Sequence, residues 1–228
     1  LLHSYKDGKA HLPGYQDDYA CFINCLLDLY EARFELRWLN AAVELNRTML
    51  DLYWDGEKGG FFYTEETAAD LIVRTKNPFD NAVPSGNSIG ALVLLRLAAL
   101  TGDMDLRQKA VETLQLFGNL MQRSPSSCAQ MICALDFYQE TPWEIALTGE
   151  VRQQDEFLRV LHTQFLPNKV VMASGRGDSA EDLIALLPLM EGKVGEEDAV
   201  RAYICRDFVC SQPVSEVENF LDLFNRQS

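Results

Sequence analysis

Three carboxylates, two bases and a few polar and aromatic side chains sit at the starts of apolar runs or in the loop before one: Asp17, Asp18, Trp54, Tyr63, Arg74, Lys76, Asp80, Ser85 and Asn87. Paired carboxylates suit general acid–base chemistry, one giving a proton as the other takes one. Asn87, Ser85 and the free N–H groups of a helix start suit hydroxyls or a carboxylate. Arg74 and Lys76 alternate beside Asp80, which fits pairing with Asp70 or Asp80, or an anionic group held at a mouth. Trp54 and Tyr63 offer flat faces for stacking. Each has a plainer role too: Asp17, Asp18 and Ser85 as helix caps, the aromatics as loop packing. Metal chemistry has little to build on, since the histidines are only His3, His11 and His162 and no Cys-x-x-Cys pair occurs. No cofactor is expected.

The elements that must position these groups alternate in kind. Residues 17–33, 87–101 and 126–138 are apolar on most faces, and between Ile89 and Leu100 Arg96 is the one charge. Residues 36–53 and 104–121 carry an apolar stripe instead. Helices without a polar face must be enclosed by others, so the alternation predicts two layers of helices. Phe34 and Gly102-Asp103 make tight inner-to-outer links, with Gly102 suited to a left-handed helix end and Asp103 to a cap. The inner helices then point one way, and Asp17-Asp18, Ser85-Gly86-Asn87 and Ser126-Ser127 share a face. Residues 54–64 and 71–76 read as two short strands, a hairpin over that face, and Gly59-Gly60 as a turn requirement rather than a ligand loop.

Beyond Pro142 the pattern changes to strands at 143–148, 169–173 and 202–206 and helices at 151–163, 183–190 and 216–224. That spacing predicts right-handed crossovers and a small parallel sheet. The expected division is therefore a helical-hairpin segment, 1–140, and an α/β extension, 141–228. The expected class is mainly α.

The 228 residues carry 34 acidic and 20 basic side chains, a net charge of −14. Phosphate binding needs a basic footprint, so nucleic acid and anionic membrane are poor partners. No run approaches the ~20 apolar residues of a membrane span. A soluble, cytoplasmic protein is expected, and a first residue other than Met suggests a fragment. Cys21, Cys25, Cys128 and Cys133 lie in apolar stretches and read as buried free thiols. Cys205 and Cys210 read as structural, with a regulatory disulfide as the alternative.

Several motifs in order carry a resemblance: Asp18-Tyr19-Ala20 with Leu26-Leu27-Asp28-Leu29-Tyr30-Glu31-Ala32, Trp54-Asp55 with Gly59-Gly60-Phe61-Phe62, Arg74-x-Lys76, Pro84-Ser85-Gly86-Asn87, and Tyr203-Ile-Cys-Arg-x-Phe-x-Cys210. Together they resemble the thioredoxin-domain-containing family of spermatogenesis-associated protein 20. The resemblance implies an N-terminal thioredoxin-like domain followed by an (α/α) toroid like those of six-hairpin glycosidases and sugar 2-epimerases. This chain would be the latter part of that toroid, its partners the rest of the toroid and the thioredoxin-like domain. The implied function is saccharide binding or processing, hydrolase or epimerase-like, with Asp17 or Asp18 opposed to Asp80 at the ~5–9.5 Å separation that glycoside hydrolysis uses. The alternative is a non-catalytic scaffold attached to the thioredoxin-like domain. Sugar 2-epimerases of this fold use histidines as acid and base, and only His11 lies near these helix starts.

Overall fold

The computed structural model describes residues 1–66, 73–175, 177–194 and 199–226. The chain divides into two compact units. One comprises Leu1–Asp28, Arg37–Ala98 and Asp103–Tyr138; the other comprises Leu29–Leu36, Ala99–Gly102 and Gln139–Ser228. Among the described residues no helix is long and apolar enough to cross a membrane.

The first unit opens with an antiparallel hairpin, β1 (Leu2–Lys6) and β2 (Lys9–Pro13), turning at Asp7-Gly8 with both φ angles positive. Five helices follow, lying for most of their length in this unit: α1 (Gln16–Arg33), α2 (Leu36–Tyr53), α3 (Gly86–Thr101), α4 (Met104–Arg123) and α5 (Ala129–Gln139). α2 buries Leu36, Leu39, Ala42, Asn46, Met49 and Tyr53, a stripe at helical spacing. α3 is buried from its first residue to Leu100, save a half-buried Leu92. Its one charge, Arg96, is 8% exposed and bonds Asp28 at 2.7 Å and Asn24 at 2.9 Å, which satisfies a guanidinium that burial would otherwise strand. Gly102 has φ 72° and Asp103 accepts from the amides of Asp105 and Leu106, so the turn between α3 and α4 follows its sequence.

Two helices depart from the expected enclosure. α1 exposes Phe22, Cys25 and Leu29, and α5 exposes Cys133 and Asp136. Apolar composition says what a helix can bury, not what is at hand to cover it. The cysteines split accordingly: Cys128 is buried, Cys21 half-buried, and Cys25 and Cys133 are exposed rather than core thiols.

The second unit holds a four-stranded sheet of order β4-β3-β5-β6, from β3 (Trp143–Thr148), β4 (Lys169–Ala173), β5 (Arg201–Arg206) and β6 (Val209–Cys210). Its helices are α6 (Val151–Leu161), α7 (Ala180–Leu186) and α8 (Val217–Arg226). β3 and β4 are parallel through α6, as the crossover rule requires, but β5 runs antiparallel to β3, so the sheet is mixed rather than parallel. α6 and α7 start on side-chain caps, Glu150 to the Gln153 amide and Ser179 to the Asp182 amide. Phe157, Phe220 and Phe224 pack edge-to-face in the core. The described residues carry one disulfide, Cys205–Cys210, the pairing expected only as the alternative to a structural role.

Candidate functional site

In the first unit, the starts of α1, α3 and α5 meet. Gln16, 1% exposed, donates through Nε2 to the Gly86 carbonyl at 2.9 Å. A Cβ at Gly86 would run into the Gln16 carboxamide, and one at Gly90 would lie 3.1 Å from Phe61, so the two glycines let these segments approach. Asp80 joins α3 to α5: Oδ1 accepts from the Ser85 amide and Oδ2 from the Gln130 amide, each at 2.8 Å. Its own amide donates to Ser127 O at 2.8 Å. One side chain thus caps two helices, each cap typically worth about 0.5–2 kcal/mol.

The other candidates are committed to nearby groups in the same way. Asn87, 1% exposed, donates to Phe61 O at 2.9 Å and accepts from Phe61 N at 2.8 Å, with a further bond to Asn77 O. Ser85 Oγ lies 2.8 Å from Ser88 Oγ and accepts from the Ser88 amide. Arg74 donates to Thr64 O and Leu52 O and lies 4.1 Å over the Phe62 ring. Lys76 pairs with Asp55 at 2.7 Å and also bonds Gly59 O, so its carboxylate partner is Asp55 rather than Asp80. That bond holds the Asp55 carboxyl down at about 2. Asp70, and Leu71 and Ile72 of the expected strand 71–76, lie outside the described residues. Among the described residues, Tyr63 N bonds Thr75 O between the two expected strands, while the Trp54–Phe61 bridge closes a turn within the first. Gly59 and Gly60 turn with positive φ.

The aromatic candidates pack against other rings. Trp54 meets Phe61 edge-on at 5.2 Å, and Tyr63 stacks on Tyr15 at 4.9 Å with ring planes 9° apart. Tyr63 O also accepts from the Gln16 amide.

Asp17 and Asp18 differ from one another. Asp18 accepts from the Tyr15 amide at 2.8 Å and lies 2.6 Å from His3 Nδ1. Asp17 accepts from the Asp18 amide at 3.1 Å. Burial, and then the neighbouring Asp18 charge, push its carboxyl above the usual range. Burial, then the charges of Asp17 and Asp18, raise the Cys21 thiol. Asp17, Asp18, Cys21, Phe22, Cys25 and Val83 line a depression of about 390 Å³; Asp80, Trp54 and Tyr63 lie outside that lining. Among the described residues, no three His, Cys, Asp or Glu side chains gather as a metal site would need.

A protein-level comparison gives this geometry a setting. The chain is 37% identical over 206 residues to a human protein, an alignment covering 89% of this chain and 26% of the human one. The chain is similar to spermatogenesis-associated protein 20. The rat spermatogenesis-associated protein 20 matches equally, and an uncharacterized protein of Caenorhabditis elegans is 31% identical over 224 residues, 97% of this chain and 30% of its own. The chain therefore spans about a quarter of the length of human and rat spermatogenesis-associated protein 20. No family model matches the chain.

Gln16, His3, Tyr15 and Asp55 are the site residues that sequence reasoning missed. Gly86 and Gly90, one helical turn apart at the start of α3, were a readable signal for Gln16, since paired small residues mark a close approach.

Proposed function

We propose that this chain is a non-catalytic structural segment of a longer helical protein, part of an (α/α) toroid, whose polar residues at the helix starts lock a long loop into place. The observation that carries this reading is the commitment of Asp80, Asn87, Arg74 and Lys76 to backbone groups and to Asp55. A ligand competing for them would first have to break caps and loop bonds. The apolar residues exposed on α1 support the same reading. So does a groove of about 420 Å³ between α4 and α5, lined by Val111, Leu114, Met121, Ile132, Leu135 and Tyr138. Exposed apolar faces of this kind mark surfaces that meet another chain segment. Helices from the rest of the toroid are the covering proposed, with a thioredoxin-like domain as the further partner; a relative about three and a half times as long gives room for both.

Asp17 favours a second reading, saccharide binding or processing. Its raised carboxyl beside Asp18 in an open depression is suited to hold a proton for a sugar hydroxyl or glycosidic oxygen. The test is a calorimetric screen of neutral glycans and sugar phosphates against the full-length protein and its Asp17→Asn form. The scaffold reading expects no saccharide to bind. Binding or turnover that vanishes with Asp17→Asn in a folded protein would replace it with the second.

A further inference from the structure

In the second unit, the antiparallel register sets three reactive side chains in a row. Glu144 on β3 faces Cys205 on β5, and Cys205 faces Cys210 on β6. Cross-strand partners project from the same face of a sheet, with Cβ atoms about 4.5–5.5 Å apart. The row is therefore a carboxyl group followed by a disulfide. The first two are deeply buried, Glu144 3% exposed and Cys205 1%, while Cys210, on the edge strand, is half-buried.

The turn that closes the row is part of it. Asp207 and Phe208 both have positive φ, 47° and 61°, a conformation that two-residue hairpins assign to Asn and Gly. A phenylalanine there is strained and must be held. The Phe208 amide donates to Glu144 Oε2 at 2.9 Å. Glu144 thus touches the backbone of the turn while facing the buried sulfur.

We propose that Cys205–Cys210 is a thiol–disulfide exchange site, in which Cys210 takes the attack and Glu144 gives a proton to the departing Cys205. The co-reactant is a dithiol. One thiolate of that dithiol attacks Cys210 Sγ; a new S–S bond forms there as the Cys205–Cys210 bond breaks, and the electron pair leaves on Cys205. The buried Cys205 thiolate takes the Glu144 proton. The second thiol of the dithiol, deprotonated by solvent, then attacks its own partner sulfur and releases Cys210 as a thiolate, which solvent protonates. The protein disulfide gains two electrons and two protons, and the dithiol becomes a disulfide. Glu144 regains its proton from solvent.

The surroundings suit the role. Burial, with Asp207 adding in the same direction, pushes the Glu144 carboxyl up to about 7 against the opposing pull of the Phe208 amide and Lys193. The acid is therefore about half protonated at pH 7 and more fully protonated below it. Lys193 lies 5.5 Å from the Tyr203 ring centroid, and burial disfavours its charge. Arg206 is stacked 3.7 Å over Trp143. A disulfide serving only as a staple would need no acid beside its buried sulfur. A departing thiolate in an apolar site does, because exchange slows when the leaving sulfur is a poor one.

The test is the rate at which dithiothreitol reduces Cys205–Cys210 in the full chain, read by alkylation and mass spectrometry of the peptide bearing both cysteines. Divided by the reductant's thiolate fraction, the rate should fall as pH rises through about 7. Glu144→Gln, which keeps an acceptor for the Phe208 amide, should be about 10-fold slower at acidic pH and lose that profile. With glutathione, the trapped mixed disulfide should sit on Cys210. A pH-independent wild-type rate overturns the proposal without any variant. So do equal rates in Glu144→Gln, glutathione on Cys205, or both cysteines alkylated in the unreduced protein.

Discussion

Asp80 and Glu144 are both carboxylates that accept backbone N–H groups, and they end in opposite employments. Asp80 lies half-exposed where two helices begin, and each of its oxygens receives an amide. Glu144 lies on a central strand, is nearly inaccessible, and receives one amide against the added opposition of Asp207. Donors converge at helix starts because the first four N–H groups have no partner within the helix. In a sheet the ladder consumes them. The same functional group is therefore a joint in the first unit and a proton carrier in the second, and the supply of free amides decides which.

The sharpest way to break that contrast is at Asp80. Asp80→Ala should cost about 2–4 kcal/mol in urea unfolding, since it uncaps two helices, and Asp80→Asn about half as much because one oxygen survives. A folded, equally stable Asp80→Asn protein would mean that the carboxylate is not a joint. Next in size is Gly86→Ala, whose Cβ collides with Gln16; a loss of about 1–3 kcal/mol is expected. Adding Gln16→Ala to that variant should return part of the loss, and a strictly additive double mutant would deny the contact.

Glu144 sharpens the other half. Its folded pKa, about 7, lies above its ordinary 4.5, so between these values the native state binds more protons than the unfolded chain. Stability at this group is therefore full at low pH and lost as pH rises through that window. Glu144→Gln should flatten the slope, which denaturant midpoints across pH will show. The smallest effect belongs to Asp55. Its pKa is lowered from 3.8 to about 2, so its contribution is present above about 4 and disappears as acid approaches 2. Lys76→Met should remove that acid-sensitive component, worth under about 1 kcal/mol.

Helices were the most legible part of the sequence. Their apolar spacing placed all five in the first unit, and Gly102-Asp103 announced one boundary outright. Strand direction was not legible. β5 has the composition of either a parallel or an antiparallel strand, and only its pairing with β3 decides it. The N-terminal hairpin went unread although Asp7-Gly8 is a turn signal that two-residue hairpins favour. At the candidate site, residue types were readable but their employment was not. Lys76 found Asp55, and Asn87 found Phe61, because pairing depends on how a loop folds back over residues far away in sequence. The disulfide stood only as an alternative for a similar reason: two cysteines five apart face each other only if the residues between them form a tight hairpin.

The Asn87 carboxamide gives the Phe61 peptide both a donor and an acceptor, as a neighbouring strand would. A loop residue is thereby stitched into the start of the most deeply buried helix. Its amide should not exchange with solvent deuterium on the timescale of an ordinary surface loop. It should open together with the first turn of α3, as one cooperative unit, so that the protection of Phe61 reports the integrity of a helix to which it does not belong.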